Sequence, residues 1–233
     1  MKVGVLAGSL ADGIRIATEA SRLPDIEVRV LVLPTRALTL PVRVARELWR
    51  VVKARNIFAS VYHLASGRVR FFPHFIERHT DAIRAMELGV ALHACGVIYR
   101  QPTIEACGRG ILNSHIGTLP RYRGRCVAEW SVLEGNPTGI TCFFIDEGVD
   151  TGRWMVLREE VSSAGYHSIA EMKRDLFGRD GKTYRKALEA ILAGAPMAEN
   201  NVEQGNRYYP MSKLFLGVVE EILSKNAVCN SQL

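Results

Sequence analysis

Short apolar runs alternate with amphipathic stretches along most of the 233 residues, and this alternation constrains the fold more than any other feature. Lys2–Ala7 and Ile26–Leu33, the latter bounded by Pro24 and Pro34, are nearly continuous apolar segments of strand length. A strand with one wet face would alternate polar and apolar residues. Lys2–Ala7 does not, and Ile26–Leu33 does so only as far as Arg29 before the unbroken run Val30–Leu33, so both faces of the sheet must be covered. Helical spacing is predicted near 11–22 (through Ile14, Ile16, Ala17 and Ala20), over 75–88, at about 126–134, over 168–193 with an interruption at Arg179-Asp180-Gly181, and near 212–224. Further strands are predicted at 89–94, Ile111–Ser114 and Ile140–Ile145, with Trp154–Val161 pairing antiparallel at an edge. The expectation is an α/β fold, a mostly parallel twisted sheet with helices on both faces. Segment 34–74 is unreadable by pattern beyond a basic amphipathic helix near its start.

Bulk properties exclude several classes. No apolar run approaches the roughly 20 residues of a membrane span, and the apolar stretch in MKVGVLAGSLADG is too short for a signal peptide. The five cysteines (Cys95, Cys107, Cys126, Cys142 and Cys229) are odd in number and widely spaced, and the six histidines are scattered. No CxxC or HExxH spacing occurs, so a reduced, cytoplasmic, metal-free protein is expected. Cys95 and Cys142 are expected to be core fillers.

A net charge of +6 raises the question of an anionic partner. The basic residues gather at Arg43, Arg46, Arg50, Lys53 and Arg55, and again at Arg121, Arg123 and Arg125. The first group lies on a probable helix whose other face carries Val42, Val44, Leu48 and Val51; it reads as a solvated face or as a phosphate surface. Aromatic residues are not interleaved with these charges as a stacking platform requires, so no nucleic acid is expected.

The chemistry concentrates in residues 111–152. Asn113 and His115 stand two apart, so on a strand both side chains point to one face. Asp150 follows a second apolar run that could return it beside them. An amide that holds an oxyanion, an imidazole that handles a proton and a carboxylate that sets the state of the imidazole suit one acyl-type transfer. In largely parallel sheets ligands sit beyond the carboxyl ends of the strands, where both segments would lie. GSLADG lacks GxGxxG and a P-loop lysine, so no dinucleotide site is read there. Gly8 and Ser9 could present backbone N–H groups to an anion, or could form only a tight turn. His63, His74, His79, His93 and His167 read as structural.

Residues 96–152 resemble the folate-dependent formyltransferase family. The matching pieces are Asn113-Ser-His115, Leu119-Pro120-Arg121-Tyr-Arg123-Gly124, Trp130, Thr138-Gly139 and Asp146-Glu147-Gly148-Val149-Asp150-Thr151-Gly152. The resemblance weakens outside about 85–160 and implies a Rossmann-like formyltransferase fold, with a catalytic domain over 1–195 and a short extension, 196–233, packed on it. It implies that Asn113, His115 and Asp150 are catalytic and that 10-formyltetrahydrofolate is the formyl donor. The donor pocket would map to Val97, Ile98 and Tyr99 and to the turn with Asp146, Gly148 and Asp150. Gly8, Ser9, Arg123 and Gly124 are the expected acceptor contacts, although Arg123 and Gly124 could instead merely shape a loop. A serine usual two residues after the histidine is Gly117 here, and Thr118 stands where a leucine is usual.

About forty residues follow the last long predicted helix, too few for the barrel domain of a tRNA formyltransferase resembling this family. Elimination among the branches leaves a small-molecule amine acceptor, first a nucleotide-linked amino sugar and second a natural-product amine, with no nucleic acid and no membrane. A homodimer stays open. The rivals are a formyltetrahydrofolate hydrolase and a catalytically silent folate- or nucleotide-binding module.

Overall fold

The computed structural model describes residues 1–33, 40–53, 57–73 and 75–230, with the side chains at 40, 41, 43, 44, 48, 51 and 227–230 outside the described set. The readings made for Arg43, Val44, Leu48, Val51, Arg55 and His74 therefore lie outside the described residues. The strands are β1 (Lys2–Ala7), β2 (Glu27–Val32), β3 (Val69–Phe71), β4 (Val90–Ala94), β5 (Ile111–His115), β6 (Tyr122–Gly124), β7 (Thr138–Phe144), β8 (Trp154–Val161), β9 (Ala198–Glu199) and β10 (Asn206–Tyr208). The helices are α1 (Leu10–Ala20), α2 (Leu40–Lys53), α3 (Ile57–Ala65), α4 (Thr80–Arg84), α5 (Gln101–Glu105), α6 (Val127–Leu133), α7 (Ile169–Gly178), α8 (Asp180–Leu192) and α9 (Lys213–Asn230).

Among the described residues the main sheet runs β3-β2-β1-β4-β5-β7-β8-β9. β3 through β5 pair parallel, and β7, β8 and β9 continue it antiparallel. Alternate residues of the apolar strands feed two cores. Val3, Val5, Val28 and Val30 meet Ile14, Ile16 and Leu188 on the face covered by α1 and α8. Leu6, Leu31 and Leu33 meet Phe72, Ile83 and Ile104 on the other. Full burial of such a side chain is worth about 1.5–3 kcal/mol, and both faces contribute. That is why the runs are continuous. Gly13 lets α1 press onto the sheet, since a Cβ there would stand 2.5 Å from Val30 Cγ1.

Several expectations are corrected. β8 pairs with β9 as well as β7, so it is not the edge, although β9 covers only Trp154 and Met155. The predicted 75–88 helix is a 3-10 turn, Ile76–His79, followed by the short α4. The 168–193 helix is two helices that meet at Arg179.

Two buried links set up the sheet's carboxyl edge. The Tyr184 hydroxyl of α8 donates to His93 O and accepts from Ser114 N–H at 2.9 Å, bridging β4 and β5 beyond the last residue pair of their ladder. Beside it, Asp180 accepts from the Ser114 hydroxyl at 3.0 Å and faces Arg15 at 3.7 Å. Burial pushes the Asp180 carboxyl up from 3.8 to about 6, against the pull of Ser114 and Arg15. A carboxyl raised in the fold gives its stability below its unfolded value and loses it as pH rises through the folded one. Between about pH 4 and about pH 7 this group should cost the wild type on the order of 2–3 kcal/mol. Asp180→Asn should flatten that slope in urea denaturation; equal slopes for the two proteins would exclude the linkage.

Candidate active site

β5 ends in the site. Asn113 lies opposite Phe143 and His115 opposite Thr141, so both side chains leave one face of the strand while Ser114 points to Tyr184 and Asp180 on the other. His115 is 7% exposed. Its Nε2 lies 2.8 Å from Tyr122 O. A carbonyl oxygen only accepts, so Nε2 carries the hydrogen and Nδ1 is the free edge of the neutral ring. Asp150 Oδ2 stands 3.6 Å from that Nδ1. Three sequence-distant groups therefore set the imidazole: a carbonyl on one nitrogen, a carboxylate near the other, and Phe143 edge-on at 6.5 Å.

Asp150 is held by its surroundings. Its backbone sits at φ 54°, a left-handed conformation uncommon for a residue with a side chain. The Asn200 amide donates to Asp150 O at 3.2 Å and to Gly152 O at 3.0 Å. Gly124 N–H donates to Asp150 Oδ2 at 2.8 Å. Gly124 itself has φ 104°, and a Cβ there would fall 2.1 Å from Tyr208 O, so only glycine brings this N–H to the carboxylate.

Asn113 and Asp150 open onto a cleft of about 160 Å³, together with His93, Val97, Ile98, Tyr99, Asp146 and Gly148. Among the described residues the Asn113 amide has no hydrogen-bond partner, so its N–H groups are available to a ligand. Tyr99 is buried and shapes the wall, its hydroxyl 3.0 Å from His93 Nδ1 and 3.1 Å from Cys95 Sγ. Asp146 Oδ1 accepts from Gly148 N–H at 2.9 Å and from the Thr151 hydroxyl at 2.6 Å, which folds the turn that carries Asp150. Ile98, 74% exposed, presents apolar surface at the mouth. Apolar walls with a few convergent polar groups are the ordinary build of a site for a flat organic ligand.

His93 is the residue that sequence reasoning missed. It was expected to be structural, yet it lines the cleft at the end of β4. Burial lowers its pKa to about 4, while the Asp150 charge pulls the other way, so the ring is neutral at physiological pH. The signal that could have found it is its place one strand from Asn113 at the same sheet edge.

The expected acceptor contacts fare differently. Gly8 N–H is spent on Ala94 O at 3.0 Å, and Ser9 caps α1 by accepting from Asp12 N–H at 3.2 Å. The next N–H, of Leu10, donates to the buried Glu47 carboxylate at 2.7 Å, and Arg50 pairs with that carboxylate at 3.0 Å. The chain's own carboxylate thus occupies this helix start, which corrects the reading of Gly8 and Ser9 as an anion site. It also ties Arg50 of the basic helix to a buried partner. Arg123 is corrected as an acceptor contact and takes the loop-shaping alternative: its guanidinium donates to Val202 O at 3.1 Å and Gly205 O at 3.2 Å. It fastens segment 196–233 to the site loop, as does the parallel β6–β10 ladder.

The Gly117 departure has a physical reason here. A Cβ at 117 would lie 2.7 Å from His115 Nε2 and 2.9 Å from Val127 Cγ2, so a serine would displace the ring from Tyr122 O. Thr118 does not replace such a serine. It is buried beside a separate small cavity with Arg121, Asn136 and Arg158.

Among the described residues no cluster of His, Cys, Asp or Glu could hold a metal ion, and no helix is long and apolar enough to cross a membrane. Cys95, Cys107 and Cys142 are buried free thiols, and burial pushes the first to about 11 and the second to about 12.

Known proteins share parts of this sequence and this fold. A methionyl-tRNA formyltransferase from Clostridioides difficile (strain 630) is 31% identical over 150 residues, 63% of this chain and 47% of that protein. The chain spans about half the length of the curated relatives it matches. A sugar N-formyltransferase from Shewanella sp FDAARGOS_354 superposes with a TM-score of 0.62 at 13% identity, covering 96% of this chain and 87% of that one. The formyltransferase PseJ from Anoxybacillus kamchatkensis, solved with UDP-4,6-dideoxy-4-formamido-L-AltNAc and tetrahydrofolate, superposes with a TM-score of 0.53 at 16% identity, covering 97% of this chain and 100% of that one. At those identities the two structures show a shared fold. Residues 71–188, half of the sequence and the part that holds Asn113, His115 and Asp150, match the family described as formyl transferase, and the chain belongs to that family.

Proposed function

We propose that the chain moves a formyl group from 10-formyltetrahydrofolate to the primary amine of a small molecule, with a nucleotide-linked amino sugar as the first candidate. The observation that carries this reading is the unpaired Asn113 amide in the cleft, beside a His115 ring fixed between Tyr122 O and Asp150. The apolar walls at Val97 and Ile98 and the turn from Asp146 to Asp150 suit the flat ring system of the donor. Asn113 N–H stabilises the charge that grows on the formyl oxygen as the amine attacks. His115 Nδ1 takes a proton from the attacking nitrogen, and Asp150 offsets the charge of the imidazolium formed. The new carbon–nitrogen bond replaces the one to the donor, whose departing nitrogen receives that proton. No step needs a metal.

The names of the curated relatives favour a second reading, in which the amine belongs to an aminoacyl-tRNA. One experiment separates the readings. The purified protein and 10-formyltetrahydrofolate are incubated with the UDP-linked 4-amino sugar corresponding to the PseJ ligand, with methionyl-tRNA, or with no amine. Formylated sugar is the expected product. Formylation of methionyl-tRNA alone would establish the second reading, and formate release without any acceptor product would make the protein a hydrolase.

A further inference from the structure

The net charge of +6 is not spread evenly along the chain. Residues 34–73 hold eight of the 30 Lys and Arg and one of the 24 Asp and Glu, so the remainder is close to neutral. That one acid, Glu47, is buried, accepts from Leu10 N–H and pairs with Arg46 and Arg50. It leaves nothing for the other cations. The same segment carries apolar side chains on its outside. Val42, Trp49 and Val52 lie on one face of α2, and Phe58, Val61 and Tyr62 on one face of α3. All six are exposed, Trp49 to 61% and Phe58 to 92%.

α3 is amphipathic in the reverse of the usual sense. Its buried residues are Ser60 and His63, while aromatic and aliphatic side chains face outward. A helix whose only neighbour is a protein core turns its apolar stripe inward. α2 and α3 touch each other and both rest on α1, so the two apolar faces stand on neighbouring helices. Cations stand among them. Lys53 Nζ is 4.9 Å from the centre of the Trp49 ring, and Arg68 Cζ is 5.7 Å from that of Tyr62. Among the described residues neither cation has a carboxylate partner.

This combination discriminates between occupants. Nucleic acid would satisfy the cations but leave valines against phosphate. A second copy docked through the same face would bury the apolar rows but set cations against cations. The boundary of an anionic bilayer takes both at once: aromatic and aliphatic side chains enter between headgroups and acyl chains, and Lys and Arg meet the phosphates. We propose that the α2–α3 face is a peripheral attachment surface for an anionic lipid membrane. The expectation of no membrane came from the length of apolar runs, which excludes a span; a helix lying in the interface needs none. The proposal does not depend on which amine is formylated.

Cosedimentation of the full chain with lipid vesicles tests it. The vesicles are phosphatidylcholine alone, or phosphatidylcholine with phosphatidylglycerol as about a third of the lipid. The wild type should sediment with the anionic vesicles at low salt, far less with the neutral ones, and less as salt rises. Trp49→Ser with Phe58→Ser leaves the charge unchanged and should weaken binding by about tenfold or more, given the apolar surface withdrawn. Lys53→Gln with Arg68→Gln should weaken it similarly, at about fivefold per cation near a charged surface. All four side chains lie outside the buried core and the catalytic site, so thermal unfolding and formyl transfer should stay at wild-type levels. If one variant fails to fold, the other and the wild-type lipid dependence still decide. Three results would overturn the proposal: no binding of the wild type to anionic vesicles, equal binding to both vesicle types, or unchanged binding of the folded Trp49→Ser, Phe58→Ser variant. A dimer in sedimentation velocity that this variant dissolves would also overturn it, by giving the face to a second copy.

Discussion

His115→Ala is expected to lower formyl transfer by about 10²–10³-fold while binding of the donor stays within about threefold of wild type. The split follows from where the ring sits. His115 does not line the donor cleft, whose walls are Asn113, the Val97–Tyr99 segment and the turn from Asp146 to Asp150. Its removal should therefore take away an interaction made as the proton moves and leave ground-state contacts to the donor in place. The ring also packs against Phe143 and donates to Tyr122 O, so some loss of stability accompanies the change. Folding should be checked by thermal unfolding, donor binding by titration with tetrahydrofolate, and turnover by product formation at saturating donor. A variant that keeps more than about a tenth of wild-type turnover would remove His115 from the chemistry, given the usual size of such contributions.

The sheet was legible because strands buried on both faces cannot alternate. The apolar run of β1 and the stretch Val30–Leu33 admit few other placements, and the two-residue spacing of Asn113 and His115 put both on one side of β5. Elements set by short-range chemistry were harder to read. β3 and β6 have three residues each, and α5 is a five-residue helix with Pro102 near its start, so neither period nor length marks them.

Tertiary partners were not legible at all. Glu47 lies among the basic residues of α2 with no local sign of its role, and it accepts from Leu10 N–H across 37 residues. Arg123 reads from its neighbours as a loop former or an anion contact alike; only the fold reveals the carbonyls of Val202 and Gly205, 79 and 82 positions away. The pairing of Glu129 with Lys173 spans 44 residues and two helices, so it too had no local sign.

Asp150→Asn should lower the transfer rate by about 10²-fold or more while preserving the shape of the turn. The carboxylate has two tasks. One oxygen accepts from Gly124 N–H at 2.8 Å and stands 3.6 Å from His115 Nδ1, so it fixes the loop and faces the ring at once. An asparagine oxygen can keep the Gly124 contact, and Asn200 still holds the backbone through Asp150 O. What the amide lacks is charge. Once Nδ1 has taken the proton from the attacking amine, the imidazolium has no counter-charge within hydrogen-bond reach, and the step that forms it becomes harder. If the amide turns its NH2 toward Nδ1, that nitrogen is also blocked as a base. Either orientation depresses kcat. The measurement is kcat for both proteins at saturating donor, with the UDP-linked 4-amino sugar as acceptor. If the rate stays in place, Asp150 is not the partner of His115, and holding Gly124 N–H is the whole of its role.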